Sequence, residues 1–255
     1  MIFKKLLMVF GAALLLLVAA VVAVLIWAQR AGSEQQEKFF TAVTSGDPQQ
    51  VLTLCDPALA EQVDAPVLGA WMKEVQKQLG AYRAMSATDF NTSMNATDQG
   101  TVITSKGTVH FEKGDAKSDL TFTNGKLTAF EINSDKISGD WFQGFSDTKL
   151  FRDRGEEFIR KFFAKDVAGT AALMHEALRK EAPDDKIKSM MDAAVGAAGP
   201  VKSIKFLKEK FTTEDGQQLL IDYEVEAEKA KVVFDVKFRF IGLKGHLAGF
   251  NFQEE

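Results

Sequence analysis

Residues 231–253 read KVVFDVKFRFIGLKGHLAGFNFQ, and the fold follows from their alternation. Phe234, Val236, Phe238 and Phe240 take every second place, with Asp235, Lys237 and Arg239 between them. A period of two puts one set of side chains in an apolar core and the other in water, as in an antiparallel sheet with one wet face. Lys244-Gly245 then reads as a turn, with a further strand over 246–253. The pattern also stands earlier in the chain. In residues 115–132, DAKSDLTFTNGKLTAFEI, two strands flank Asn124-Gly125, a strong two-residue hairpin signal. Phe130 and Ile132 match Phe250 and Phe252 at a distance of 120 residues.

Upstream the match continues. Glu37, Phe39, Asp47, Leu54, Ala58, Leu59, Met72 and Gly80 recur, each 119 residues on, as Glu156, Phe158, Asp166, Leu173, Ala177, Leu178, Met191 and Gly199. A fixed offset of this kind marks one supersecondary design written twice. Each copy opens with helices. Phe39, Phe40 and Val43 form one stripe, matched by Phe158, Ile159, Phe162 and Phe163. Asp47 and Asp166 suit helix N-caps, and Pro48 suits the first helical position. Leu68, Trp71, Met72, Val75 and Leu79 lie at helical spacing, as do Ile187, Met190, Met191, Ala194 and Ala198. Gly80 and Gly199 then stop the helix. After each glycine the period becomes two. Strands are predicted over 82–94, 101–112, 115–124 and 126–132, and again over 201–212, 217–228, 231–241 and 246–253. The fold class is therefore α+β: helices followed by a curved four-stranded antiparallel sheet, twice over. The predicted boundaries are 1–30 for a cytoplasmic stub and transmembrane signal anchor, 31–133 for the first repeat, 134–150 for a linker and 151–255 for the second repeat. Trp141, Phe142 and Phe145 make the linker too apolar to run free, and they are expected to pack between the repeats.

The order of helix, short helix, stripe helix and four-stranded meander, closed by Gly125-Lys126-Leu127 with Phe130 and by Gly245-His246-Leu247 with Phe250, resembles the nuclear-transport-factor-like, or cystatin-like, α+β cone superfamily. The likeness covers roughly residues 34–132 and 151–254. It implies a pocket between the helices and the concave sheet. Such folds host isomerases, dehydratases, small-ligand binders and structural modules, so the fold does not choose among them.

The N-terminus carries a separate signal. Leu6–Ala28 is a run of 23 residues without a charge, long enough to cross a bilayer core of about 30 Å. It is longer than the apolar stretch of a cleavable signal peptide and lacks a small-x-small cleavage site. Lys4 and Lys5 precede it, while Glu34 and Glu37 follow Arg30. The positive-inside rule then leaves the N-terminus in the cytoplasm and the bulk of the chain outside it: in a bacterium, an inner-membrane protein facing the periplasm or the exterior. Ala31–Gln36 reads as a polar juxtamembrane stretch.

Composition narrows the remaining classes. Hydrophobic residues make up 46% and charged residues 26% of 255, as in ordinary folded protein. The net charge is −4 with scattered Lys and Arg, which gives no electrostatic footprint for nucleic acid. The single cysteine, Cys55, allows no internal disulfide, aligns with Met174 and reads as a buried apolar residue.

Catalytic signatures are missing: no Gly-x-Ser-x-Gly elbow and no phosphate loop. The histidines, His110, His175 and His246, look too dispersed for a metal site. His175 reads as a solvated loop residue, His246 as exposed, and His110 as projecting opposite Phe111. Asp184-Asp185 reads as a helix start. Tyr223, alternating with Leu219, Ile221 and Val225, faces the core and needs a hydroxyl partner, which makes it the candidate ligand-binding residue. No cofactor is called for. The chain thus reads as a membrane-anchored binding protein for a protein partner or a small apolar ligand. The alternative is a small-molecule enzyme or carrier using the cone pocket.

Overall fold

The computed structural model describes residues 33–86, 88–89, 91–98, 100–137, 142 and 145–254. The anchor expected over residues 6–28 and the linker residue Trp141 lie outside the described residues. Among the described residues, no helix is long and apolar enough to cross a membrane. The chain divides into two compact units. The first takes residues up to Glu61 and Trp71–Gly139; the second takes Gln62–Ala70 and Asp140–Glu255.

In the first unit residues 33–45 are helical (α1), followed by α2 (Pro48–Leu54) and α3 (Pro57–Ala60); α4 (Ala65–Leu79) has its first residues in the segment assigned to the second unit and the rest, from Trp71, in the first. The strands are β1 (Tyr82–Met85), β2 (Asn91–Thr97), β3 (Gly100–Phe111), β4 (Asp115–Thr123) and β5 (Lys126–Asn133). The second unit has α5 (Lys149–Phe163), α6 (Val167–Leu173), α7 (Glu176–Glu181), α8 (Asp184–Ala198), β6 (Val201–Thr212), β7 (Gln218–Ala227), β8 (Lys231–Ile241) and β9 (Lys244–Glu254). The protein is α+β, with two all-antiparallel sheets: a five-stranded one in which β1 and β2 both pair with β3, and a four-stranded one in the order β6-β7-β8-β9.

The two units repeat each other in detail. Asp47 Oδ1 accepts from the Gln49 amide at 2.9 Å to cap α2, and Asp166 Oδ1 accepts from the Gly169 amide at 2.8 Å to cap α6. Gly80 and Gly199 both end a helix, at φ +79° and +80°. Lys113 Nζ donates to the Lys77 carbonyl, and Lys229 Nζ to that of Gly196, 119 residues on from Lys77. The Asp56 amide donates to the Leu127 carbonyl and the His175 amide to that of Leu247, each at 2.8 Å. Cys55 pairs with Leu127 and Met174 with Leu247 in isolated parallel bridges. Even the irregularities recur: the last hairpin shifts register at Thr121/Phe122 in one sheet and at Lys237/Phe238 in the other.

Four details depart from the sequence reading. The predicted strand 82–94 is broken into β1 and β2, so the first sheet has five strands rather than four. Asp89 leaves the ladder to receive the Thr108 hydroxyl and the Lys117 ammonium, and the register against β3 slips by three residues across the break. The second hairpin turns at Gly242-Leu243, not at Lys244-Gly245. Gly242 has φ +59°, as a turn with glycine first requires, and the arms run two pairs further than in the first hairpin. Gly245 is a packing glycine, since a Cβ there would overlap the Phe151 ring. Phe142 and Phe145 belong to the second unit's own core, with ring centroids 4.6 and 6.1 Å from Phe240. Each unit also holds one short helix more than expected, α3 and α7, raised by the caps Asp56 and His175.

The core of the second unit is aromatic. Phe234 is buried on β8 and meets Phe158, Phe162 and Phe163 from α5, with Phe250 and Phe252 stacked beside it on β9. This cluster binds helix to sheet through both area and ring geometry. Phe234→Ala is expected to destabilise the chain by about 4 kcal/mol, read as a lowered midpoint in denaturant unfolding. A loss below about 1 kcal/mol would show that this packing is not what holds the second unit.

Candidate functional site

Tyr223 projects from β7 into this core, as its alternation predicts, and is almost wholly buried. Its hydroxyl donates to the Arg152 carbonyl on α5 at 2.7 Å, and its tip fills the space over Gly155. Burial pushes the phenol's pKa up, with Glu156 adding to the effect. Tyr223 is thus a core tyrosine whose donor is already engaged by a helix carbonyl.

The histidines fall into a different arrangement from the dispersed one the sequence suggests. His110 stands alone, half exposed, with Nδ1 2.9 Å from Asp115 Oδ1. His175 and His246 come together, their rings edge to face with centroids 4.8 Å apart. The backbone explains the meeting: the His175 amide bonds the Leu247 carbonyl, which draws the start of α7 alongside β9. His175 caps α7, with Nδ1 accepting from the Ala177 amide at 3.3 Å. In its neutral form that places the ring proton on Nε2.

Beside the pair lies a charge lock that sequence reasoning missed. Asp64, buried in the segment Gln62–Ala70 of the same unit, takes Arg154 in a two-pronged pair at 2.7 and 3.0 Å. The same carboxylate accepts from the Gly245 amide at 2.9 Å, and the Asp64 amide donates to the Leu243 carbonyl. Arg154, His175, Lys244 and His246 border a cavity of about 290 Å³ with Leu173 and Phe238 behind them. The walls bring together the Lys244 side chain, two imidazoles and Arg154, whose charge is paired with Asp64. Such a cleft offers N–H donors to a small anion. Among the described residues, no three His, Cys, Asp or Glu side chains gather as a metal site.

Elsewhere, Asp222 and Asp235 stand opposite each other across β7 and β8, with Lys208 3.1 Å from Asp222. Burial and the facing Asp222 push the Asp235 carboxyl above its usual range. The expected pair Asp184-Asp185 occupies the first turn of α8, where acids favour the helix dipole. Cys55 is buried and burial pushes its thiol up to about 11, as befits an unreactive core residue.

The fold and the cleft define a two-sheet α+β protein of repeat-like build with a histidine-lined surface cavity. The sequence matches no protein-family model and no curated protein.

Two outcomes follow from this geometry. His246 has its pKa lowered by burial and by His175, with Lys244 and Arg154 adding to the effect and Asp64 opposing it; Arg239 faces it across the β8–β9 ladder. His246 in the folded state then binds a proton less readily than in the unfolded chain, so its contribution to stability falls as pH drops below about 6.5 and is lost in full below its folded pKa. His246→Gln should flatten that pH profile in thermal unfolding. Asp64→Ala leaves Arg154 without its carboxylate and should cost about 3 kcal/mol in chemical denaturation.

Proposed function

We propose that the chain is a non-enzymatic, membrane-anchored binding protein. Residues 6–28 hold it in a bacterial inner membrane, and two tandem α+β domains of the nuclear-transport-factor-like cone type stand in the periplasm or outside the cell. The observation that carries this reading is the second unit's interior. Phe234 is walled in by five rings and the Tyr223 hydroxyl is engaged by a helix carbonyl, so binding there falls to the outer surface. A protein partner suits that surface better than a small apolar guest. Edge strand β6 leaves Phe206 and Leu207 exposed between the exposed lysines Lys202, Lys205, Lys208 and Lys210. An assembly or immunity-type role in the envelope agrees with a duplicated domain behind an anchor.

A second reading, as a carrier of small molecules or an enzyme acting on them, is favoured by the cavity between His175, His246, Lys244 and Arg154. Its chemistry would be that of an anion held by N–H donors.

Fusion of alkaline phosphatase and, separately, of green fluorescent protein to the C-terminus tests the topology. The phosphatase fusion should be active and the fluorescent fusion dark, with the chain retained in carbonate-washed membranes. A bright fluorescent fusion would overturn the extracytoplasmic placement.

A further inference from the structure

The interior of the first unit differs in kind from that of the second. The bridges at Leu127 and Leu247 fix which positions correspond. Across the sheets, Phe130, Leu120 and Ser105 then stand where Phe250, Val236 and Ile221 stand, and Ile132, Ser118 and Gly107 where Phe252, Phe234 and Tyr223 stand. Ile221, Tyr223 and Phe234 of the solid core thus become serine, glycine and serine. On the helices the exchange runs the other way. Gly155, which makes room for Tyr223, is replaced by Gln36, placed on α1 at the matching position 119 residues earlier.

Gln36 was expected in a polar juxtamembrane stretch, yet it is wholly buried, as is Ser105, with Ser118 nearly so. Gln36 Nε2 donates to Ser118 Oγ at 3.0 Å, and Ser118 Oγ donates to the Gly107 carbonyl at 3.3 Å. Three further polar atoms close by are buried without a partner: Gln36 Oε1, Ser105 Oγ and Thr92 Oγ1. Thr92 lies directly opposite Ser105 in the β2–β3 ladder, and Ser118 is its diagonal neighbour, at about 7 Å. Turning the Gln36 amide over would exchange acceptor for donor but still leave one of its atoms unpaired. Opposite Gly107 the edge strand is interrupted between β1 and β2.

Each orphaned buried group carries a desolvation cost with nothing to offset it, and an apolar residue of the same shape would remove that cost. The second unit makes that replacement at two of the four places, Ile221 for Ser105 and Phe234 for Ser118, while opposite Ile221 it carries Glu209 where the first has Thr92, so the frame does not require the two serines. We propose that Gln36, Thr92, Ser105 and Ser118 form a binding site in the first unit for a small neutral ligand bearing an N–H or O–H donor, such as an amide or alcohol with a short apolar tail. None of the four side chains carries charge, so a carboxylate or ammonium would enter without a counter-charge and is disfavoured. Leu120 and Phe130 in the same row supply the apolar wall. The inference rests on the reading of the chain as a binding protein and gives that reading a ligand class.

The test uses the full-length chain in detergent, with butyramide as probe, n-butanol as a second donor and butyrate as the charged control. In ¹H–¹⁵N spectra, butyramide and butanol should move the Gln36 side-chain amide and the backbone amides of Ser105 and Gly107. Butyrate should not, and Ile221 and Tyr223 should stay still. Ser105→Ala should weaken the butyramide response about fivefold, the loss of one hydrogen bond, while the melting midpoint holds or rises. A purely structural serine would instead lower the midpoint. No response to either donor, or an unchanged response in both Ser105→Ala and Gln36→Leu, overturns the site and leaves the anchored binding reading standing. Conversion of butyramide to butyrate with the same resonances moving would keep the site and overturn the non-catalytic reading.

Discussion

One backbone hydrogen bond organises each copy of this fold. It runs from the residue before a short helix to the carbonyl of a leucine on the last strand: Asp56 to Leu127, and His175 to Leu247. Strands β5 and β9 lie at sheet edges, where unpaired amides and carbonyls invite association with other chains. The bond occupies one such carbonyl and ties the helical layer to the sheet at a fixed register. Cys55 and Met174, immediately before, pack inward at the same point. The following helix begins where that residue's side chain caps it, so strand edge, helix start and core share one position.

Much of this was legible in the sequence because it is local. Alternation along 231–241, the Asp47 and Asp166 caps, the glycine stops and the Asn124-Gly125 turn each depend on residues within a few places of one another. The sequence misplaced features that depend on distance along the chain. Asp64 and Arg154 are 90 residues apart, Gln36 and Ser118 are 82 apart, and His175 meets His246 only because α7 returns to β9. Gly245 shows the same limit on a smaller scale. Next to Lys244 it resembles a turn glycine, but its role is set by Phe151, almost a hundred residues earlier. The break between β1 and β2 was hidden too, since it follows from Asp89 meeting Thr108 and Lys117 on other strands.

The comparison between copies separates what the frame needs from what one copy adds. A helix cap is needed at the start of α3 and α7, and an aspartate supplies it well: Asp56 accepts from the Leu59 amide at 2.7 Å. His175 caps at the matching place but accepts from the Ala177 amide, two residues on rather than three, at 3.3 Å, a weaker bond from a residue type not favoured there. Capping alone therefore does not account for an imidazole at that place. Its ring borders the cavity and meets His246 edge to face, a contact an aspartate could not make.

The second copy places its bulk on the sheet, as Tyr223 over Gly155; the first has Gln36 on the helix and Gly107 on the sheet at the matching places. That exchange by itself predicts only a repacked core. It does not predict serines in place of Ile221 and Phe234, nor polar atoms left unpaired beside them. A core under selection for stability alone drifts toward apolar side chains at such positions, because the replacement removes a desolvation cost and adds buried area. Polar groups kept there, in a frame shown by its twin to accept apolar ones, are a departure from local consistency of the kind that marks functional sites.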